Sequence, residues 1–198
     1  MVEKGKATGI QLGDQVVRTN QAVVVSNLSV WDLFGGDVLD KSQLDPSYLQ
    51  QKMDTPVGKS FMHLHVGFKA TQEELNQLQA HNMFIDDLKR GVEAEDNAIL
   101  LSIPLVHDAT VAPEGYAVLH IYTPSTEGYM RWEGVNHKSS EYKELKDEQS
   151  QYLWRVLEKI IPDIRVRTVV SRVGTPLTHQ RFLNRHRGSY GPTIQAGE

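Results

Sequence analysis

The sequence predicts an α+β fold, a mixed or antiparallel sheet with helices packed on it. Three observations carry this. Strand-like and helix-like segments intermix without strict strand–helix–strand alternation. Residues 60–70 alternate in side-chain character for a full long strand. Residues 141–161 carry apolar side chains at helical spacing (Tyr142, Leu145, Tyr152, Leu153, Val156, Leu157, Ile160, Ile161).

The elements follow in order. Residues 7–12 and 15–19 flank Gly13-Asp14 and predict a β-hairpin. Residues 22–27 form a continuous β-branched run, the pattern of a strand buried on both faces. Residues 30–34 predict a short helix stopped by Gly35-Gly36. Residues 45–53 predict a second helix, with Pro46 in its first turn. In the 60–70 strand, Phe61, His63, His65 and Gly67 share one face, and Met62, Leu64, Val66 and Phe68 the other. Residues 72–78 predict a polar helical turn. Strands are expected at 81–86, 98–103 and 117–122, the last preceded by the turn Pro113-Glu114-Gly115. Ser139 or Ser140 caps the long helix and Pro162 marks its end. A strand over 166–173 leads into a segment of loop, helical turn and loop, which ends in Gly188-Ser189-Tyr190-Gly191-Pro192.

Composition narrows the classes. The chain has 198 residues, 39% of them hydrophobic and 23% charged, which suits a globular core. A net charge of -4 gives no electrostatic case for nucleic acid. The absence of cysteine excludes disulfides, thiolate catalysis and Cys-based metal or iron–sulfur sites. No run of about 18 apolar residues exists, so no membrane span is expected. Residues 1–6 read as neither a signal nor a transit peptide. There is no GxGxxG, P-loop, GxSxG or HExxH motif.

Candidate site residues are few. His63 and His65, at i and i+2 of a strand, share a face and suit either a pocket lining or a half-buried sheet surface. A metal would need a third ligand, and no acid sits in the same element, so no metal site is expected. Arg181 and Arg185, four apart, share a face on a helical turn, with Arg187 close behind. Guanidinium groups suit diphosphate or acidic headgroups, or else pair with acids elsewhere in the fold. Gly188 and Gly191 permit positive φ and close approach to a flat ring, on which Tyr190 could stack; the alternative is a simple turn.

Several phrases resemble the FAD-dependent carotenoid (prolycopene) isomerases, a branch of the phytoene-desaturase-type flavoproteins. They are Thr8-Gly9-Ile10-Gln11-Leu12, Val23-Val24-Val25-Ser26-Asn27, Val30-Trp31-Asp32, the strand 60–70 containing His65, Leu100 to Pro104, Trp132-Glu133-Gly134, and the closing Gly-Ser-Tyr-Gly-Pro. The resemblance implies the substrate-domain portion of an FAD/NAD(P)-binding Rossmann-type flavoprotein. Residues 1–30 would link to an FAD-binding domain outside this chain, 31–173 would bind substrate, and 174–198 would return toward the flavin. Ser26, Asn27, Gly188, Ser189, Tyr190 and Gly191 would then approach reduced FAD, and His65, His63 and Arg181 the substrate. No catalytic residue is implied. The expected reaction is conversion of a poly-cis carotenoid, a long polyene, to the all-trans form. The setting would be a membrane surface in plastids, or the cyanobacterial cytoplasm. Alternatives are desaturation or saturation in the same flavoprotein family, or a non-catalytic pigment- or protein-binding module. After Pro192 the sequence Thr193-Ile194-Gln195 departs from the family pattern.

Overall fold

The computed structural model describes residues 1–3, 5–19 and 23–191. They fall into two compact units, Met1–Gly58 with Gly191, and Lys59–Tyr190.

The first unit opens with two small antiparallel hairpins. Strands β1 (Val2–Glu3) and β2 (Lys6–Ala7) form one, and β3 (Gly9–Leu12) and β4 (Gln15–Arg18) the other, with Leu12 opposite Gln15 across Gly13-Asp14. Helix α1 (Val30–Gly35) is capped by Ser29, whose hydroxyl accepts from Asp32 N–H. Helix α2 (Pro46–Met53) is capped by Asp45, with Pro46 in its first turn. Trp31 is buried here and its indole N–H donates to the Thr55 carbonyl at 3.0 Å. The predicted strand over 22–27 is corrected. Val23–Asn27 has no ladder partner among the described residues, Val23 and Val25 are exposed, and Ala22 lies outside the described residues. β-branched composition favours an extended backbone, but a strand also needs a neighbour for its N–H and C=O groups.

The second unit is built on one five-stranded antiparallel sheet of order β6-β7-β8-β5-β9. Its strands are β5 (His63–Lys69), β6 (His81–Ile85), β7 (Ala98–Ser102), β8 (Tyr116–Tyr122) and β9 (Thr168–Gly174). Helix α3 (Gln72–Gln77) carries a Thr71–Glu74 capping box. Helix α4 (Ser140–Ile160) is capped by Ser139 and followed by Pro162, as its sequence predicts. A single turn, α5 (Ile164–Arg167), takes the first residues assigned from sequence to the strand at 166–173. Helix α6 (Pro176–Leu183) follows β9 directly. Among the described residues, no helix is long and apolar enough to cross a membrane.

Alternation fixes the layers. Leu64, Val66 and Phe68 of β5, Ala117, Leu119 and Ile121 of β8, and Ile99 and Leu101 of β7 join one core with Leu153, Val156 and Leu157 of α4. Trp154 joins them although it lies outside the narrow stripe drawn from sequence, because α4 buries a broader face than a single ridge. The opposite sheet face keeps the polar and aromatic side chains.

A buried ion sits at the edge of this core. Glu127 is 2% exposed, and Trp132 Nε1 donates to its Oε1 at 2.8 Å. Burial raises the Glu127 carboxyl above its ordinary 4.5, with the Trp132 bond and Arg131 opposing. The folded state thus holds a proton that the unfolded state has already released. Stability from this group is fully present below pH 4.5 and is lost as pH rises through the elevated folded value. The stability of Glu127→Gln relative to wild type should therefore increase from pH 4.5 toward neutrality. A pH series of urea unfolding curves measures this, and a flat or falling difference rejects it.

Candidate functional site

The outward face of the second unit's sheet carries an unbroken set of stacked rings. The strand register makes it. His65 lies directly opposite His120 and His63 opposite Tyr122, on β5 and β8. Side chains directly opposite on one face of an antiparallel pair stand close enough to touch. The His65 and His120 rings are 4.2 Å apart and nearly parallel, at 2°. His63 stacks on His120 at 4.9 Å, and His120 on Tyr122 at 4.6 Å. Phe61, just before β5, lies 4.2 Å from Tyr190.

Helix α6 completes the set. Thr175 caps it in a capping box with Thr178, and the Tyr142 hydroxyl lies 2.9 Å from Thr175 Oγ1, which ties α6 to α4. This places buried His179 against His63, edge to face at 4.8 Å, with the Tyr190 ring 5.3 Å away.

Electrostatics keep this face uncharged. Burial, then His179, His120 and His65 in turn, drives His63 down to about 3. Burial, then His65, drives His120 down to about 4. Burial also lowers His65, and burial and then Arg185 lower His179. At neutral pH all four imidazoles are therefore neutral, and the stacked rings form an uncharged aromatic surface bordered by Arg172 and Arg185. His63 Nδ1 and His120 Nε2 are 2.7 Å apart and share one proton. The Nε2 atoms of His63 and His179 are buried without a hydrogen-bond partner among the described residues.

Of the residues singled out in the sequence, His63, His65 and Tyr190 belong to this face. The third imidazole that the sequence did not supply comes from β8 as His120, and a fourth from α6 as His179. His120 was legible only as an outward position of an alternating strand; its meeting with His65 depends on register. Arg181 is exposed and lies two residues, about 200°, round the helix from His179, with its guanidinium 5.0 Å from the Phe182 ring.

The arginine cluster is corrected. Asn184 takes a left-handed conformation (φ 53°) and ends α6, so Arg181 and Arg185 share no helical face. Arg185 lies over the Tyr190 ring at 5.1 Å, while Arg187 pairs with Glu133 at 3.4 Å. The three guanidinium groups thus serve three separate places.

The terminal glycines differ in use. Gly188 has φ +62°, and a Cβ there would stand 2.2 Å from the Pro176 carbonyl oxygen. Its own carbonyl accepts from buried Ser60 Oγ at 2.6 Å. The close approach that requires glycine is therefore to this chain's own backbone. Ser189 is buried. Gly191, in the first unit, has φ +133° and open space where a Cβ would be. Ser26 and Asn27, also in the first unit, are exposed, and Ser26 Oγ accepts from Leu28 N–H at 3.3 Å. The described residues do not fit a complete flavin site: there is no dinucleotide fingerprint, and Gly188 is closed on the side a ring would need.

No protein-family profile matches the chain. Curated relatives do. Prolycopene isomerase 2, chloroplastic, of an Oncidium hybrid cultivar is 34% identical over 195 residues, covering 97% of this chain and 32% of that protein. The chloroplastic prolycopene isomerase of Arabidopsis thaliana is 33% identical over 197 residues, covering 97% and 31% respectively. The all-trans-retinol 13,14-reductase of Danio rerio is 26% identical over 209 residues, covering 94% and 34%. The chain is therefore a homologue of the prolycopene isomerases, spanning about a third of their length.

Proposed function

We propose that this chain is the substrate-side portion of an FAD-dependent carotenoid isomerase, acting in plastids at a membrane surface, that converts a poly-cis polyene to its all-trans form. The observation that carries the reading is 33–34% identity to prolycopene isomerases over nearly all of the chain. The outward sheet face supports it. Phe61, Tyr122, Tyr190 and the neutral imidazoles offer flat, uncharged, polarisable surface to a conjugated chain.

In this reading the rings bind and orient the polyene and exclude water. His63 and His120, titrating near 3 and 4, do not hold a transferable proton at neutral pH. They act as a neutral platform. Reduced FAD, if held by the full-length protein, would supply the electron donation that a redox-neutral isomerisation needs. Most of its site is proposed to lie in the two-thirds of the relatives' length that this chain does not match. Residues 1–30 and 174–198 would run toward that flavin domain and 31–173 would serve the substrate. Ser26, Asn27, Tyr190 and Gly191 are the proposed approaches to the flavin. Gly188 and Ser189 support that loop from within. Arg181 remains a proposed contact for substrate at the entrance rather than on the ring face.

The test supplies poly-cis lycopene to the full-length reduced protein. All-trans product of unchanged mass supports the isomerase. A product differing by two hydrogens favours the saturase or desaturase reading, which the 26% identity to a retinol reductase keeps open. Neither bound flavin nor conversion removes both and leaves a pigment- or protein-binding module.

A further inference from the structure

We propose that His63, His65 and His120 form a binding site for one divalent transition cation of the zinc class. The site lies within the ring face described above, and its assignment does not rest on the reaction proposed for that face.

The donor set carries the inference. One nitrogen from each of the three imidazoles can be chosen so that all lie within 4.8 Å of one another. Two of these nitrogens, His63 Nδ1 and His120 Nε2, already converge to 2.7 Å. Zinc–nitrogen bonds of 2.0–2.1 Å in a tetrahedron require ligand nitrogens about 3.3 Å apart. Reaching that spacing requires the 2.7 Å pair to open, the wider pairs to close, and the parallel His65 and His120 rings to tilt out of their stack about Cβ positions held by the pairing of β5 with β8. Three imidazoles with no thiolate and no carboxylate select Zn²⁺, Co²⁺, Ni²⁺ or Cu²⁺ over Mg²⁺ or Ca²⁺.

The second observation concerns partners left unused. His63 Nε2 and His179 Nε2 are buried and have no hydrogen-bond partner among the described residues. A buried polar atom without a partner is costly, and one such atom calls for explanation. With a cation on His63 Nδ1 and His120 Nε2, each neutral ring keeps its one proton on the other nitrogen, and the hydrogen bond between the two rings is replaced by two bonds to the ion. His179, edge-on to His63 at 4.8 Å, then borders the open side of the ion and can accept a hydrogen bond from a water held there. The rigid backbone around the three ligands comes from two paired central strands, the placement that makes a preformed site precise.

Positive charge is the opposing factor. Arg172 lies opposite His65 on β9, and its guanidinium donates to the Ser171 carbonyl at 2.8 Å. Arg185 lies beyond His179, over Tyr190. With three neutral ligands the bound ion keeps its full charge, so the fourth position suits an anion such as hydroxide or chloride, which these arginines also favour.

The experiment uses the 198-residue chain, purified without a histidine tag and stripped with chelator. Calorimetric titration with Zn²⁺ should give one ion per chain, and Co²⁺ should show the intense visible bands of tetrahedral coordination. His65→Gln, at an exposed position, and the double variant His65→Gln/His120→Gln should weaken binding by at least about tenfold, the effect that loss of even an outer partner produces. Circular dichroism of the variants should match wild type. His81 and His107, whose rings lie 6.1 Å apart elsewhere on the same unit, serve as the control. His81→Gln/His107→Gln should bind as wild type does. Failure of the stripped protein to bind Zn²⁺, weak octahedral Co²⁺ bands, or binding that follows the control pair would each overturn the assignment.

Discussion

Gly188→Ala should lower the stability of the second unit by about 3 kcal/mol or more. The left-handed backbone (φ +62°) alone costs a side-chain residue about 1–3 kcal/mol. The new Cβ would then stand 2.2 Å from the Pro176 oxygen, 2.8 Å from its carbonyl carbon and 3.0 Å from its Cα. All three are backbone atoms at the first turn of α6, so no rotamer change relieves the clash. On the other side the Gly188 carbonyl is held by Ser60 Oγ, which prevents retreat. Two comparisons isolate the effect. Ser60→Ala removes only the buried hydroxyl and should cost about 1–3 kcal/mol. Gly128→Ala meets nothing within 4 Å at ordinary φ and should be nearly neutral. Urea unfolding of the three variants provides the measurement. A Gly188→Ala loss no larger than that of Gly128→Ala would show that the close contact is absent in solution.

The second large effect concerns Trp132, which is fully buried. Trp132→Ala should cost about 3–5 kcal/mol by leaving a cavity against Tyr142, whose ring lies 6.0 Å away. Trp132→Phe fills much of that space but withdraws the N–H from Glu127, so a buried carboxylate loses its donor. That loss should cost about 1–3 kcal/mol. Because the penalty arises at Glu127, Trp132→Phe should be milder in a Glu127→Gln background. A double-mutant cycle by thermal or urea unfolding reads the coupling directly. Additive single effects would mean that the 2.8 Å bond between indole and carboxylate contributes nothing to stability.

β5 and α4 are legible in the sequence because the pattern that decides each is local. The alternation Met62-His63-Leu64-His65-Val66 identified both faces of β5 because a pleated strand reverses direction at each residue. Capping serines and Pro162 bounded α4 because helix ends must satisfy their free backbone groups locally. The α+β class followed from such local patterns. The same logic failed where the answer was not local. The run at 22–27 has strand composition, yet pairing requires a neighbour that composition does not name. Arg181 and Arg185 have helical spacing, yet Asn184 turns left-handed between them and separates their directions. Gly188 was read as room for a ring, whereas its space is occupied by Pro176.

The amino-acid order by itself identified β5, β7, β8 and α4, the faces that β5 and α4 present to the core, and the likeness to carotenoid isomerases. It supplied His63 and His65 as a pair with no third partner. Tertiary structure alone decided that His120 lies against His65 and that His179 closes on His63. Those meetings depend on the register of β8 against β5 and on the path of α6 after β9; a one-residue slip of β8 against β5 would turn His120 to the face opposite His65, and one residue along α6 would swing His179 by about 100°.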